Sequence, residues 1–115
     1  MSVLNLTQNT ILGDTLLTLA SNFNKTLKRI NNYGIPKGCA LWLHRCSGIY
    51  TVGMKNPVDI IFIDKNRRII RILRNFPPGC FTESADGAIG AIELPPDTLS
   101  ETHSNQGDLI ELFPG

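Results

Sequence analysis

The stretch from Pro57 to Asp64 constrains the fold of this chain more than any other. It reads Pro57-Val58-Asp59-Ile60-Ile61-Phe62-Ile63-Asp64. A run that is rich in β-branched residues and apolar at both alternating sets of positions predicts a strand that is buried on both faces. Asp64-Lys65-Asn66-Arg67 predicts a tight turn with Asn66 in the left-handed conformation, and Arg68–Leu73 predicts the return strand of a hairpin.

The N-terminal third allows two interpretations. Its apolar residues step by three and four positions, which is typical of a helix, at Leu16, Leu19, Phe23, Leu27 and Ile30. This spacing alone favours a long helix with Asp14 as its N-cap. The alternative is a strand Thr15–Leu19 followed by a short helix with Asn22 as its N-cap. In both cases the glycines and the proline of Asn31–Gly38 end the helix.

The rest of the chain is typical of short strands. Val3–Thr7 alternates weakly and predicts an edge strand, while Gly13-Asp14 predicts a turn. Further strands are predicted at Ala40–Leu43, Ala88–Leu94 and Leu109–Phe113, and Pro95-Pro96-Asp97 is expected to open one or two helical turns. Six or seven short strands with one or two short helices predict a mainly β (α+β) fold, either a small barrel or a sandwich.

Size and composition exclude several classes of protein. A chain of 115 residues with 42% apolar and 18% charged residues is expected to form a single domain over residues 1–115. Its longest unbroken apolar run, Ile60–Ile63, is far shorter than a membrane span. No basic residue precedes Lys25, so we predict no signal peptide. Three cysteines without a Cys-x-x-Cys spacing fit reduced thiols, and we therefore expect a cytoplasmic protein.

Charge is distributed unevenly along the chain. Residues 1–74 contain all eleven lysines and arginines against three aspartates, which leaves +8, whereas residues 75–115 contain seven acids and no base, which leaves −7. We favour an arrangement in which the two halves neutralise each other. The alternative is a basic patch over Lys65–Arg74 that docks an acidic partner. The overall net charge of +1 argues against a general nucleic-acid binder.

The central segment has a recognisable pattern. Residues Leu41–Lys55 contain Cys46, Gly48-Ile49-Tyr50-Thr51 and Gly53-Met54-Lys55, and they lead into Pro57–Asp64. This pattern, followed by Ala91-Ile92-Glu93-Leu94-Pro95 and Gly107-Asp108, resembles the bacterial and archaeal family named domain of unknown function 192. The resemblance spans residues 15–113 and implies a compact, mostly β fold with the short helix that follows Asn22. It implies no particular activity, and Tyr50 stands where relatives often have histidine.

Asp59 is the most informative single residue of the sequence. Because its neighbours in the strand are apolar, its carboxylate is expected to be buried and must be paired or hydrogen-bonded. One interpretation is a polarised acid in a pocket. The favoured interpretation is structural: an acceptor for N–H groups of the Thr51–Lys55 loop, or a partner of Lys55 or Arg45. Glu93 cannot be placed relative to Asp59 from the sequence, so no paired-carboxylate site is predicted.

Cys46 and His44 are secondary candidates. In an extended segment they would share a face, and Arg45 or His44 could favour a thiolate, but no oxyanion-hole motif or third orienting group is identifiable. Core packing of Cys46 is therefore the favoured interpretation. Cys39, His44, Cys46 and Cys80 have zinc-ligand chemistry but not a recognised zinc spacing, so neither a metal nor another cofactor is predicted.

These observations lead to two hypotheses of function. The favoured one is a non-catalytic binding or accessory protein with a shallow pocket. The residues predicted to line that pocket are Tyr50, Thr51, Met54, Lys55 and Asp59. The alternative is a small hydrolase-like or transfer enzyme that uses Asp59 with Cys46 or His44. The expected partner is an unidentified small molecule or protein; neither nucleic acid nor membrane is expected, and the sequence predicts no oligomeric state.

Overall fold

The computed structural model describes residues 2–18 and 23–112, which form eight strands and two short helices. In chain order these are β1 (Val3–Asn5), β2 (Thr10–Gly13), β3 (Thr15–Thr18), α1 (Phe23–Tyr33), β4 (Cys39–His44), β5 (Val58–Ile63), β6 (Ile69–Phe76), β7 (Gly90–Leu94), α2 (Thr98–Glu101) and β8 (Ile110–Leu112). The predicted mainly β class is confirmed. The strands form two separate sheets that do not close into a barrel, so the sandwich is the correct alternative.

The larger sheet has five strands in the order β3-β4-β7-β5-β6. β3 runs parallel to β4, and the other pairs are antiparallel. All six residues of β5 are buried, which confirms the strand predicted to be covered on both faces. The predicted β5–β6 hairpin is also present, but the left-handed residue of its turn is Arg67, with φ of 65°, and not Asn66. The turn resembles a type I turn followed by a bulge residue, which places the positive φ one position later.

The smaller sheet has three strands in the order β2-β1-β8. β1 was predicted as an edge strand, and this is wrong, because β8 pairs with it on the side opposite β2. β2 was not predicted, since Gly13-Asp14 was interpreted as a turn. Gly13 ends β2 where a Cβ would lie 3.2 Å from the backbone nitrogen of Ala40, so a glycine allows β2 to pass close to β4.

The N-terminal elements follow the interpretation with a short helix. β3 ends at Thr18 and α1 begins at Phe23; the predicted cap Asn22 and the end of the predicted strand, Leu19, lie outside the described residues. α1 ends at Tyr33, and the next residue, Gly34, has φ of 81° and donates its N–H to the carbonyl of Ile30 at 2.8 Å. Neither helix of the described part of the chain combines the length and the apolar character that a bilayer crossing requires.

The five-stranded sheet has two buried faces, which we name after what covers them. The sandwich face packs against the smaller sheet and α2; its central residues are Ala40, Trp42, Asp59, Ile61, Ile92 and Leu94. The helix face packs against α1 and the loop that follows β4; its central residues are Leu41, Ile60, Phe62, Ala91 and Glu93. Residues paired across neighbouring strands point to the same side, so the register alone assigns these faces.

A buried polar network ties the smaller sheet to the loop before β8. The amide of Asn5 donates to the Ser104 hydroxyl and to the Asp108 carboxylate, both at 2.9 Å. Burial by itself would raise the pKa of Asp108, but hydrogen bonds from Asn5, from the Asn105 backbone and from Gln8 outweigh it and lower the pKa. Asn5, Ser104 and Asp108 are therefore all hydrogen-bonded although they are buried.

The basic residues of β6, and Arg68 just before it, lie beside the acidic half of the chain. Arg71 forms an ion pair of 3.9 Å with the exposed carboxylate of Glu83. Arg74 donates to the carbonyl of Ser104 at 2.9 Å, and Arg68 donates to the carbonyl of Gly107 at 3.3 Å. These contacts bring the positively charged first half of the sequence against the negatively charged second half.

Candidate functional site

Asp59 is completely buried, and both of its carboxylate oxygens are engaged. Oδ1 accepts the backbone N–H of Asn75 and Oδ2 accepts that of Leu99, each at 2.8 Å. The expectation of a buried acceptor of backbone N–H groups is confirmed. The expectation that these groups belong to the Thr51–Lys55 loop is wrong, because Asp59 points to the sandwich face and away from that loop.

Asp59 accepts hydrogen bonds from two backbone N–H groups that have no backbone acceptor of their own. The pairing of β5 with β6 shifts between Val58 and Ile60, so Asn75 lies in a bulge and turns its N–H to the carboxylate. Leu99 occupies the second position of α2, whose own N-cap residue Asp97 makes no capping hydrogen bond with its side chain. Asp59 of β5 thus provides the capping acceptor for α2.

Two of the predicted pocket residues hold the loop after β4 in place. Thr51 is fully buried; its hydroxyl donates to the carbonyl of Pro77 at 2.7 Å and accepts the N–H of Cys80 at 2.9 Å. Lys55 has an exposed side chain, and its N–H donates to the carbonyl of Asn31 at 3.0 Å. The loop is therefore fastened on one side to residues 77–80 and on the other to α1.

The other two predicted loop residues, Tyr50 and Met54, line a cleft of about 320 Å³ between α1, the loop after β4 and the helix face. Glu93 also lines this cleft, and we refer to it as the Glu93 cleft. Its further lining residues are Leu27, Ile30, Asn31, Leu41, Leu43, Cys46, Gly48, Ile49 and Val52. The structure therefore brings Tyr50, Met54 and the secondary candidate Cys46 together, but Asp59 lies on the opposite face of the sheet.

Glu93 is the polar group at the floor of the cleft. It pairs in register with Leu41 of β4 and Ile60 of β5, both apolar and buried, and is itself 5% exposed. Its Oε1 atom is buried without a hydrogen-bond partner among residues 2–18 and 23–112, whereas the buried side chains of Asn5, Thr51, Asp59 and Asp108 are all hydrogen-bonded. An unpaired buried carboxyl is costly, so its retention in an open cleft marks a candidate binding group.

The electrostatics of Glu93 follow from this burial. Removal from water disfavours the ionised form and raises the pKa of Glu93 from its usual 4.5 to about 7. Near neutral pH the carboxyl is therefore divided between its ionised and protonated forms. The sequence contained the signal for this residue: Glu93 is the single charged position of the apolar run Ala91-Ile92-Glu93-Leu94, as Asp59 is in its own strand.

Cys46 lies at the edge of the cleft but is not arranged as a nucleophile. Burial is the main cause that raises the pKa of its thiol; the hydrogen bond to Gly48 opposes this in part, and the negative charge of Glu93 adds a smaller increase. That hydrogen bond runs from Sγ to the Gly48 carbonyl at 2.8 Å. His44 is exposed, and its ring packs against Trp42 with centroids 5.9 Å apart.

The reactivity of Cys46 provides a direct test of this arrangement. We expect iodoacetamide at pH 8 to alkylate Cys46 several times more slowly than free cysteine, because both burial and Glu93 disfavour the thiolate. In Glu93→Gln the alkylation should become faster, since one of these two causes is removed. Peptide mapping by mass spectrometry over a time course measures both rates. A Cys46 that reacts faster than free cysteine would contradict the geometry and support a thiol enzyme.

The residues with zinc-ligand chemistry do not gather into a site. Across residues 2–18 and 23–112 there is no group of three or more histidine, cysteine, aspartate or glutamate side chains placed to hold a metal ion. Cys39, Cys46 and Cys80 are all free thiols.

A larger depression of about 600 Å³ lies between β2, residues 35–38 and α2. Its charged side chains, Asp14, Lys37 and Glu101, are exposed to solvent. The buried carboxyl without a partner belongs to the smaller Glu93 cleft, and the chemistry of the molecule therefore favours that cleft despite its smaller volume.

The comparison with family models identifies the chain. The model of domain of unknown function 192, described as uncharacterized ACR, matches residues 28–112 of the 115. The chain belongs to this family. The resemblance seen in the sequence is thereby confirmed, and the matched range includes β4 to β8 and most of α1, with every lining residue of the Glu93 cleft except Leu27.

Two solved structures share the fold of this family member. A protein of unknown function from Novosphingobium aromaticivorans matches with a TM-score of 0.70 and 16% identity, over 96% of this chain and 82% of that one. A protein from Sinorhizobium meliloti, described as a proposed transcription regulator, matches with a TM-score of 0.71 and 15% identity, over 96% of this chain and 89% of that one. No curated protein matches the chain. At these identities the likeness shows the fold alone.

Proposed function

We propose that this protein is a non-catalytic binding module, formed by a single domain, whose site is the Glu93 cleft. The observation that supports this most strongly is the Glu93 carboxyl, which lines a cleft that is open to solvent, is 5% exposed and has one oxygen without a partner in the described part of the chain. In a protein interior such a group costs folding free energy unless something pairs with it. A ligand that enters the cleft supplies the missing partner.

The residues that form the walls of the cleft indicate the size and polarity of the part of the ligand that does not contact Glu93. They are mostly aliphatic, with Ile30, Leu41 and Ile49 buried and Tyr50 and Val52 exposed at the mouth. A volume of about 320 Å³ lies at the lower end of the usual range for ligand sites, ~300–1,000 Å³. The proposed ligand is therefore a small amphipathic compound, or a side chain of similar size, with its apolar part against these walls.

The alternative of a hydrolase-like or transfer enzyme has weaker support. Both oxygens of Asp59 already accept backbone N–H groups, so the carboxylate has no free role as a base. Asp59 pairs with Leu94 and His44 with Gly90, four residues apart along β7, which corresponds to ~13 Å. Cys46 carries a thiol with a raised pKa, the opposite of an activated nucleophile.

We also propose a reducing, cytoplasmic location for the protein, which the three free thiols support.

Binding of 1-hexanol tests the proposed function. Burial of about 160 Å² of alkyl surface at ~25 cal/mol per Å² corresponds to ~4 kcal/mol, or a Kd of about 1 mM. Titration with 1-hexanol, followed by two-dimensional NMR, should shift the signals of Ile30, Leu41, Ile49 and Met54 in a saturable manner. Shifts confined to residues outside the cleft would overturn the proposal.

A pair of tryptophan substitutions provides the control. Leu27→Trp adds bulk at a lining residue and should abolish saturable binding of 1-hexanol. Ile11→Trp adds the same bulk on β2, where Ile11 is 62% exposed, and should leave the Kd unchanged. Equal binding by both variants would remove the cleft as the site.

A further inference from the structure

The geometry points to an aliphatic ammonium group as the head of the ligand that occupies the Glu93 cleft. This inference rests on the proposed function and specifies its ligand class. It follows from an inventory of the donors and acceptors that line the cleft, taken together with the apolar character of the walls.

The polar atom of the cleft that is buried without a partner among the described residues is an acceptor. The carboxyl oxygen of Glu93 that lacks a partner lies between the apolar residues Leu41 and Ile60 of the neighbouring strands. A ligand that carries N–H groups satisfies this oxygen directly. A cationic N–H satisfies it best, because a charge-assisted hydrogen bond is roughly twice as strong as a neutral one.

None of the other polar groups of the lining donates to this oxygen. The thiol of Cys46 already donates to the Gly48 carbonyl at 2.8 Å. Asn31 belongs to α1 at the side of the cleft, and Tyr50 is 77% exposed at its mouth. An anionic head would therefore meet the Glu93 carboxyl without a compensating donor, and repulsion between like charges would disfavour it.

The remainder of the cleft suits an aliphatic stem. The lining also includes the side chains of Leu43, Ile49 and Met54, and the thioether of Met54 can adapt to a flexible chain. An alkyl stem of four to six carbons buries its apolar surface against these residues while its ammonium group reaches the carboxylate. Free alkylamines have this chemistry, and so does the lysine side chain of a polypeptide.

A matched series of six-carbon compounds tests the head group. Kd values for hexylamine, 1-hexanol and hexanoate are measured at pH 8 by the same NMR titration. We expect hexylamine to bind about tenfold more tightly than 1-hexanol, and hexanoate to bind most weakly, because only the amine forms an ion pair with Glu93. Hexylamine that binds no more tightly than 1-hexanol would overturn the inference.

Two substitutions test whether the Glu93 carboxyl causes the preference for the amine over the alcohol. In Glu93→Gln the ratio of amine to alcohol affinity should fall from about ten to about one. Glu83→Gln removes a carboxylate that is 91% exposed beside Arg71, and it should leave the ratio at about ten. A preference that persists in Glu93→Gln would mean that another group recognises the amine, and the inference would then be wrong.

The same titrations separate the inference from the proposed function. If 1-hexanol binds in the cleft and hexylamine binds no better, the binding module stands and the ammonium assignment fails. If neither compound shifts the residues of the cleft, both fail.

A further titration distinguishes a free alkylamine from the lysine side chain of a polypeptide as the source of the ammonium group. N-acetyl-lysine methylamide is compared with N-acetyl-norleucine methylamide, which has a similar stem without the charge. A lysine derivative that binds as tightly as hexylamine, and about tenfold more tightly than the norleucine derivative, assigns a polypeptide source. Binding of hexylamine without binding of the lysine derivative assigns a free amine. Both results support the ammonium head.

Discussion

Replacement of Asp59 by alanine is expected to lower the free energy of unfolding by about 4 kcal/mol. The substitution leaves the N–H groups of Asn75 and Leu99 without an acceptor at a position that water does not reach. For a domain whose total stability is ~5–15 kcal/mol, this is a large fraction. Urea denaturation at pH 7 measures the loss, and the amide of Leu99 should also lose protection from hydrogen exchange.

Asp64 provides a matched control for this prediction. Its carboxylate also accepts two backbone N–H groups, those of Asn66 at 2.9 Å and Arg68 at 3.0 Å, but it does so in an exposed turn. Water can replace the missing acceptor there, so Asp64→Ala should cost about 1 kcal/mol. If the two alanine variants are equally destabilised, the burial of Asp59 is not what makes its hydrogen bonds important.

Glu93→Gln is expected to change how stability depends on pH. Because the pKa of Glu93 is raised from 4.5 to about 7 in the folded protein, the folded state keeps a proton between these values that the unfolded state has released. The stability contributed by this proton is present in full below pH 4.5 and is lost as the pH rises through 7. The loss amounts to about 3 kcal/mol, and the glutamine variant does not undergo it.

The measurement is a comparison of unfolding free energies at several pH values. Between pH 4.5 and pH 8 the stability of Glu93→Gln relative to the original protein should rise by about 3 kcal/mol. Glu83→Gln, which changes an exposed carboxylate, serves as the control and should follow the original profile. Parallel profiles for Glu93→Gln and the original protein would show that Glu93 titrates as an ordinary surface acid.

The sequence predicted the strands that have strong local signals. β5 could be predicted because Val58–Ile63 is apolar on both of its faces, and it is buried throughout. β2 could not, because its four residues end at Gly13, and their strand character comes from pairing with β1. The central position of β1 likewise depends on β8, whose residues are more than 100 positions away in the sequence.

The burial of Asp59 could be predicted from its neighbours, but its partners could not. Asn75 and Leu99 lie 16 and 40 positions away, and each reaches the carboxylate through a feature that only the fold creates: a bulge in β6 and the uncapped start of α2. Tyr50, Met54 and Cys46 were predicted as candidates and do lie together in the cleft. Glu93 had the same sequence signal as Asp59 and was assigned no role, because a sequence does not show which face a strand residue occupies in the folded sheet.

Asp59 and Glu93 occupy neighbouring positions in the register of the five-stranded sheet, but their side chains are not in contact. Asp59 pairs with Leu94, and Glu93 pairs with Ile60, so one carboxyl faces each side. The sheet thus separates the hydrogen bonds of Asp59, which hold α2 and the bulge of β6, from the proposed binding cleft at Glu93. In protein engineering, stability can therefore be adjusted through residues around Asp59 without changing the proposed site, whereas a change of Glu93 alters the proposed selectivity and the pH dependence of stability together.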